Sequence, residues 1–237
     1  MAPPLAVQIS PHFYYSPIES TAVSIEYLGV EYVLPWPDTG RYPNLENFND
    51  FENTIAVQHS PEEDDIWRRS TFVNYGVYAL IRQLNSETDF PIVKIASRHT
   101  DARKHIENEF RLLTALSQIT SVVKIDGVAL VDDQGIFGFR MERLDEIPTE
   151  DRPGYVCKIK EAVEEVHKAG FVHCDLTFSN IMKKNHEVKL IDFGLSGTLE
   201  ETIPQDHPLR KFFGADVFST SIDDKKVDEL IQMATQE

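Results

Sequence analysis

Cations are scarce in this chain. Lysine and arginine number 23 against 39 aspartates and glutamates, which leaves a formal charge of −16 at pH 7. Such a balance repels a polyphosphate, so nucleic acid is not expected as a partner, whereas a basic protein partner or substrate would be attracted. Cysteine is scarcer still. Cys157 and Cys174 lie in no CxxC or Cys/His metal spacing and read as free thiols of a reducing compartment. No apolar run approaches the ~20 residues of a membrane span. The opening MAPPLAVQIS lacks the basic flank and apolar core of a secretory signal. No membrane association is expected, and the expected location is intracellular: cytoplasmic first, nuclear second.

What is present can build a sizeable core, with 41% apolar and 10% aromatic residues over 237 positions. Residues 1–61 are interrupted by prolines yet carry Phe13, Tyr14, Tyr15, Trp36, Tyr42, Phe48 and Phe51, unlike a disordered tail. Val23, Ile25 and Tyr27 alternate with polar neighbours, and Tyr32 and Leu34 resume the pattern after Gly29. This predicts a β-hairpin in an ordered extension packed on the rest. The acidic run Glu62–Asp65 reads as a solvated turn at a boundary. Strands are expected at Trp67–Phe72, Val77–Leu84 and Phe90–Ala96. A helix bearing His105, Phe110, Leu112, Leu113 and Leu116 follows, then strands Val122–Val131 and Ile136–Met141. Val156, Ile159, Ala162, Val163 and Val166 repeat at helix spacing up to Gly170. Two short β-pieces, Ile181–Met182 and Val188–Ile191, precede a loop and a terminal helix from near Asp223. The organisation expected is 1–61 extension, 62–145 β-rich lobe and 146–237 helical lobe.

Four pieces carry chemistry. Lys94 on the third strand can present a fixed cation to phosphates. Glu109, one turn before Leu112 and Leu113, can hold that lysine by an ion pair. In His173-Cys174-Asp175-Leu176-Thr177-Phe178-Ser179-Asn180, Asp175 can accept a proton from an attacking hydroxyl, and Asn180 can offer Mg²⁺ a neutral oxygen. In Ile191-Asp192-Phe193-Gly194, Asp192 is a hard oxygen ligand and Gly194 permits a sharp turn. The last two motifs together, with one hairpin between them, are hard to explain as a core histidine and surface carboxylates.

From about Ile66 to its end the chain resembles eukaryotic-type protein kinases. HCDLTFSN resembles the catalytic loop HRDLxxxN, IDFG the magnesium loop and PIVK the VAIK strand. Met141-Glu142-Arg143-Leu144 looks like gatekeeper and hinge; Gly214–Ser219 with Lys226-Val227-Asp228 looks like the APE-to-helix-F stretch, Asp216 replacing the usual glutamate. DLTFSN is also similar to the loop of small atypical kinases of the KEOPS-associated Bud32/PRPK type. The resemblance implies an α+β, two-lobed protein-kinase-like fold with an antiparallel β-sheet N-lobe and a shortened helical C-lobe, with ATP and Mg as cofactors. It assigns Lys94 to the α/β-phosphates, Glu109 to Lys94, Asp175 to the catalytic base, and Asn180 and Asp192 to the metal. Gly76, Ile92, Met141, Glu142, Leu144 and Met182 line the nucleotide site, and Leu113, His173 and Phe193 stack as an internal spine.

Departures from the pattern are equally specific. Ser70–Val77 keeps one glycine, Gly76, where kinases have up to three, and Ile92 stands where VAIK has alanine. Thr177 replaces a catalytic-loop lysine, and Cys174 an arginine that senses activation-loop phosphorylation, so no such switch is expected. The sequence stops soon after the start of helix F, which predicts open apolar surface unless the extension or a partner covers it. The expected function is an ATP–Mg-dependent phosphotransferase with a protein Ser/Thr hydroxyl as acceptor. A pseudokinase acting as a binding or scaffold module is the first alternative. A small-molecule kinase is the second, and Asp192-Phe193-Gly194 argues against it.

Overall fold

A computed structural model of the chain describes residues 14–15, 21–27, 30–35, 55–76, 78–86 and 88–236. They divide into two compact units: residues up to Ile106 with Ala129–Arg140, and Glu107–Val128 with Met141 onward. Gly29, Phe13, Trp36, Tyr42, Phe48 and Phe51 lie outside the described residues.

The first unit opens with a four-stranded sheet in the order β1 (Tyr14–Tyr15), β2 (Thr21–Tyr27), β3 (Val30–Pro35), β4 (Ile55–Ala56). The hairpin register runs from Ala22↔Pro35 to Tyr27↔Val30. Next comes α1 (Pro61–Arg69), where the sequence pattern suggested a turn and the start of a strand. Ser60 accepts a hydrogen bond from the Glu63 N–H at 3.2 Å, Pro61 opens the helix, and acids fill the first turn with arginines in the last. Those capping signals define the helix; nine residues are too few for apolar periodicity to do so. The strand therefore begins at Ser70, not Trp67. A second, five-stranded sheet follows in the order β5 (Ser70–Tyr75), β6 (Ala79–Leu84), β7 (Ile92–Ala96), β9 (Gly135–Met141), β8 (Ile125–Asp132). Its core is Ile66, Trp67, Leu80, Leu84, Val93, Ile95 and Phe137.

Two arginines, Arg82 buried and Arg98 half-buried, fasten the N-terminal hairpin within this unit. Arg82, 0% exposed, donates from Nη1 to Glu26 of β2 at 2.8 Å and from Nε to Ser70 Oγ at 2.8 Å, and lies 3.9 Å over the Trp67 ring. Glu31 of β3, 1% exposed, accepts from Arg98 at 2.9 Å and from His59 at 2.9 Å; Arg98 also reaches Glu63 of α1 at 2.7 Å. Burial alone would depress the Arg98 pKa, but the charges of Glu31 and Glu63 raise it above the ordinary arginine value.

In the second unit, α3 (Val156–Lys168) packs on α5 (Thr220–Gln236) and on β13 (Glu187–Leu190). β13 pairs with β12 (Ile181–Lys184), which pairs with β10 (Asp145–Glu146); β11 (Phe171–Val172) pairs with β14 (Gly197–Thr198). α2 (Ala102–Ala115) runs across the division between the units. The stretch expected to be loop contains a further helix, α4 (Pro208–Phe213), capped by the His207 side chain at its start and by Gly214, φ +66°, at its end. Leu209 of α4 joins Val172, Cys174, Ile203 and Phe218 in a core cluster, which the loop expectation had no means to anticipate. Gly197 is required by packing: a Cβ there would sit 2.4 Å from the Phe218 ring.

Arg98→Ala leaves the buried Glu31 and Glu63 carboxylates short of their cation. It is expected to lower unfolding stability by about 3–5 kcal/mol. The exposed Arg68→Ala should change it by less than about 0.5 kcal/mol. Urea denaturation midpoints of the two variants check this.

Candidate active site

The sequence-selected residues fall on both units. In the first, Lys94 is buried in the middle of β7, in register with Ile81 of β6. Gly138 of β9 allows that strand to close on it, since a Cβ would lie 2.6 Å from the Lys94 carbonyl. Ile92 is half-buried at the strand's start. Gly76 is exposed and closes a turn by donating its N–H to Ala79 O at 2.8 Å; a Cβ at Gly76 would meet nothing within 4 Å.

The second unit gathers the remaining residues. His173, Cys174 and Asp175 follow β11, and Asp192 follows β13, so the β12–β13 hairpin sets the spacing of the two motifs. His173 is fully buried. It accepts from the Asp175 N–H at Nδ1, 3.3 Å, so the proton sits on Nε2, which donates to Ile191 O at 2.8 Å. Its ring lies 4.6 Å from that of Phe193, and Leu113 is likewise buried. Asn180 donates from Nδ2 to Asp175 at both the backbone oxygen, 2.8 Å, and Oδ2, 3.1 Å. That orientation steers the Asp175 carboxylate and leaves the amide oxygen of Asn180 as an acceptor. Asp175 is half-buried.

Glu109 of α2 is buried and accepts from the Phe193 N–H at 3.2 Å, so it holds the backbone next to Asp192. Asp192 sits in the left-handed region at φ +65°, ψ +65°. The sharp turn expected at Gly194 thus falls on Asp192: Gly194 has no positive φ, and a Cβ there makes an ordinary 3.5 Å contact. Met141 ends β9, and Met182 and Leu144 are half-buried nearby in sequence to the β10–β12 ladder. The Glu142 carboxylate takes the Lys124 N–H at 2.9 Å and Lys184 Nζ at 2.5 Å, while its own N–H donates to Lys124 O at 2.9 Å.

One residue that sequence reasoning passed over anchors His173 and Cys174. Asp223 of α5, 0% exposed, accepts from the His173 N–H at 2.8 Å, the Cys174 N–H at 2.7 Å and His167 Nε2 at 2.9 Å. The sequence resemblance points instead to Lys226-Val227-Asp228, and Asp228 is exposed. A carboxylate in the first turn of a helix was the available signal, but by itself it marks only a favourable dipole position. Asp216, standing where kinases have glutamate, pairs with Arg210 at 2.8 Å. The Cys174 thiol is buried beside Asp223 and Asp175; burial first, and the two carboxylates second, push its pKa well up.

Chemically, the loop offers a carboxylate steered by an amide, plus hard oxygens on Asn180 and Asp192. That donor set suits Mg²⁺, which takes one or two protein carboxylates and completes its shell with phosphate and water. Among the described residues no group of three or more His, Cys, Asp or Glu could hold a metal. An ion at Asn180 and Asp192 therefore depends on ligand oxygens.

A family model described as protein kinase domain matches residues 74–220, well over half of the chain. The chain belongs to the protein kinase domain family. Shorter stretches resemble particular relatives. Myosin light chain kinase, smooth muscle, of Gallus gallus is 51% identical over 49 residues, 19% of this chain and 3% of that protein. The KEOPS complex subunit Bud32 of Pyrococcus abyssi is 38% identical over 55 residues, 23% of this chain and 25% of that protein. A probable bifunctional tRNA threonylcarbamoyladenosine biosynthesis protein of Methanocorpusculum labreanum is 49% identical over 51 residues, 22% of this chain and 10% of that protein. The chain thus spans a quarter or less of these relatives. A chain of the CAK complex from Chaetomium thermophilum, solved bound to ATP-gamma-S, shares the fold with TM-score 0.53 at 16% identity, covering 72% of this chain and 62% of that one. No helix among the described residues is long and apolar enough to cross a membrane.

Two outcomes follow from Asp223 and Cys174. Asp223→Ala strands two buried backbone donors and the half-buried His167 ring and should cost about 3–5 kcal/mol, read from a urea unfolding curve. A thiol reagent at pH 8 should titrate one cysteine per native chain, the exposed Cys157, and two after denaturation.

Proposed function

We propose that this protein is an ATP–Mg-dependent phosphotransferase of the protein-kinase type, with a Ser/Thr hydroxyl of a protein as acceptor. The observation that carries the reading is the Asp175–Asn180 arrangement: a half-buried carboxylate steered by an amide that donates from Nδ2 and so keeps its oxygen as an acceptor. Asp175 orients the attacking hydroxyl and takes its proton. Lys94 supplies the fixed positive charge for the α/β-phosphates, and Glu109 fixes its orientation. Asn180 and Asp192 hold Mg²⁺, which when bound neutralises phosphate charge. Adenine is read by the Glu142 carbonyl and the Leu144 N–H, because the Glu142 N–H is already given to Lys124 O. Catalysis of this kind is mostly positioning and charge stabilisation.

A nucleotide-free binding module is the second reading. It is favoured by β5, which brings the exposed side chains of Val73, Asn74 and Tyr75 and the single Gly76 to the segment that covers phosphates in kinases. Incubation with γ-labelled ATP and Mg²⁺ separates the two. The wild type should transfer or release label, and Asp175→Asn should lose at least about 100-fold. Mg²⁺–ATP should also raise the melting temperature, by the equivalent of about 2.7 kcal/mol at one hundred times Kd, with the rise abolished in Asp192→Asn. Equal label release by wild type and Asp175→Asn, with no thermal shift, overturns the phosphotransferase reading.

A further inference from the structure

In a chain with 39 acidic and 23 basic side chains, a buried or half-buried cation ordinarily finds a carboxylate. Arg82 and Arg98 do so in the first unit. Arg152 does not. It lies in the 3₁₀ turn Thr149–Tyr155 that leads into α3, and its guanidinium carbon sits 4.2 Å over the ring of Phe178. It makes no hydrogen bond or ion pair to any described residue, and its Nε is fully buried without a partner. The stacking explains where the side chain is held but not what its N–H groups serve. Arginine cannot shed its proton to relieve this, and a desolvated N–H left unpaired costs about 1–3 kcal/mol.

The place of that cation is informative. Phe178 belongs to the catalytic loop, three residues after Asp175 and next to Ser179. Three residues of chain span no more than about 11 Å. Arg152 is therefore fixed within a short peptide's reach of the carboxylate that, in the reading above, receives the acceptor hydroxyl. The catalytic loop itself is without its own cation, since Thr177 stands where kinases of the Ser/Thr class have lysine. Two lysines of the same unit are already engaged: Lys183 is 3.5 Å from Asp151, and Lys158 donates to His186 O at 2.8 Å.

We propose that Arg152 is the acceptor-specificity residue of this site and that it pairs with an anionic group, carboxylate or phosphate, on the acceptor peptide. Since Arg152 is held against the loop that carries Asp175, the anion lies within a few residues of the accepting Ser or Thr. The net charge of −16 draws basic partners at long range, but that field is screened beyond a Debye length of about 8 Å at physiological salt. At contact, the local cation sets the requirement, and a planar guanidinium fits carboxylate or phosphate in two-point contact. The inference rests on the phosphotransferase reading for its location, and its test is arranged to part from that reading.

The test is a peptide array built around one Ser, with Glu, phosphoserine, Gln or Lys placed at each position up to four residues away. It is run with Mg²⁺–ATP on the full chain, wild type and variants. The wild type should favour an acidic or phosphorylated neighbour at one position by at least tenfold in kcat/KM over Gln, mainly through KM, and disfavour Lys. Comparing the Glu and phosphoserine arms decides which anion is read. Arg152→Met keeps the packing over Phe178 without the charge and should reduce the preference below twofold, whereas Arg152→Lys should restore part of it. Thermal melts check that the variants are folded. Transfer without an acidic preference, or a preference that survives Arg152→Met, overturns the proposal while leaving the phosphotransferase reading intact. If no peptide is phosphorylated, fluorescence anisotropy with the labelled Glu and phosphoserine peptides decides. Binding weakened tenfold or more in Arg152→Met supports the anion site, and absence of such binding overturns it.

Discussion

The second unit is organised around a single buried carboxylate. Asp223 takes the backbone N–H groups of His173 and Cys174 and the ring of His167, three donors from two other elements, onto its two oxygens. This fixes the catalytic loop to α5 and lets Cys174 adopt a left-handed backbone, φ +69°. The fixation continues through His173, whose Nε2 holds Ile191 O and whose carbonyl accepts from Ser196 Oγ at 2.7 Å. The strand before Asp192 and the turn after it are thereby tied to the same histidine. Glu109 closes the sequence by taking the Phe193 N–H. Asp192 and Cys174 each carry backbone strain worth about 1–3 kcal/mol, which persists only where the surroundings over-determine the geometry.

The first unit uses the same physics for a different end. Arg82 and Arg98 bind carboxylates of β2, β3 and α1, so the residues ahead of the five-stranded sheet are joined to it by ion pairs as well as by apolar packing. Each arginine serves several acceptors, which suits a chain poor in cations. Buried pairs of this kind gain little net energy over apolar contacts, yet losing one partner is costly, so they specify the arrangement more than they stabilise it. The apolar side is ordinary: Trp67 and Ile66 of α1 enter the same cluster as Leu80, Val93 and Phe137 of the sheet.

Much of this was legible in the residues. The β-β-β-α-β-β order, α3 ending at Gly170, and the β12–β13 hairpin between the two motifs all follow from period and punctuation. The reading failed where local pattern and burial part company. Glu62–Asp65 looked like a solvated turn, yet Glu63 is buried against Arg98, and the Ser60–Glu63 cap makes the run the first turn of α1. The stretch holding α4 looks like loop in the sequence because its helix is six residues long, too short for an apolar period to show that Leu209 reaches the core. Gly194 reads in the sequence as the residue that permits the sharp turn after Ile191, but the chain bends at Asp192, where an aspartate tolerates the left-handed region better than most residues.

By itself the sequence determined the motif residues and their spacing, because both motifs are local: Asp175 and Asn180 are five apart, and one hairpin separates them from Asp192. It determined the family for the same reason. Tertiary structure alone decided which of the carboxylates of α5 turns inward and which face of Glu109 meets the Phe193 N–H. Those depend on donors brought together from 49 to 84 positions apart in the chain. A helix periodicity shows that one face is buried; it does not show which backbone N–H groups wait behind that face, and for Asp223 those N–H groups are what fix its role.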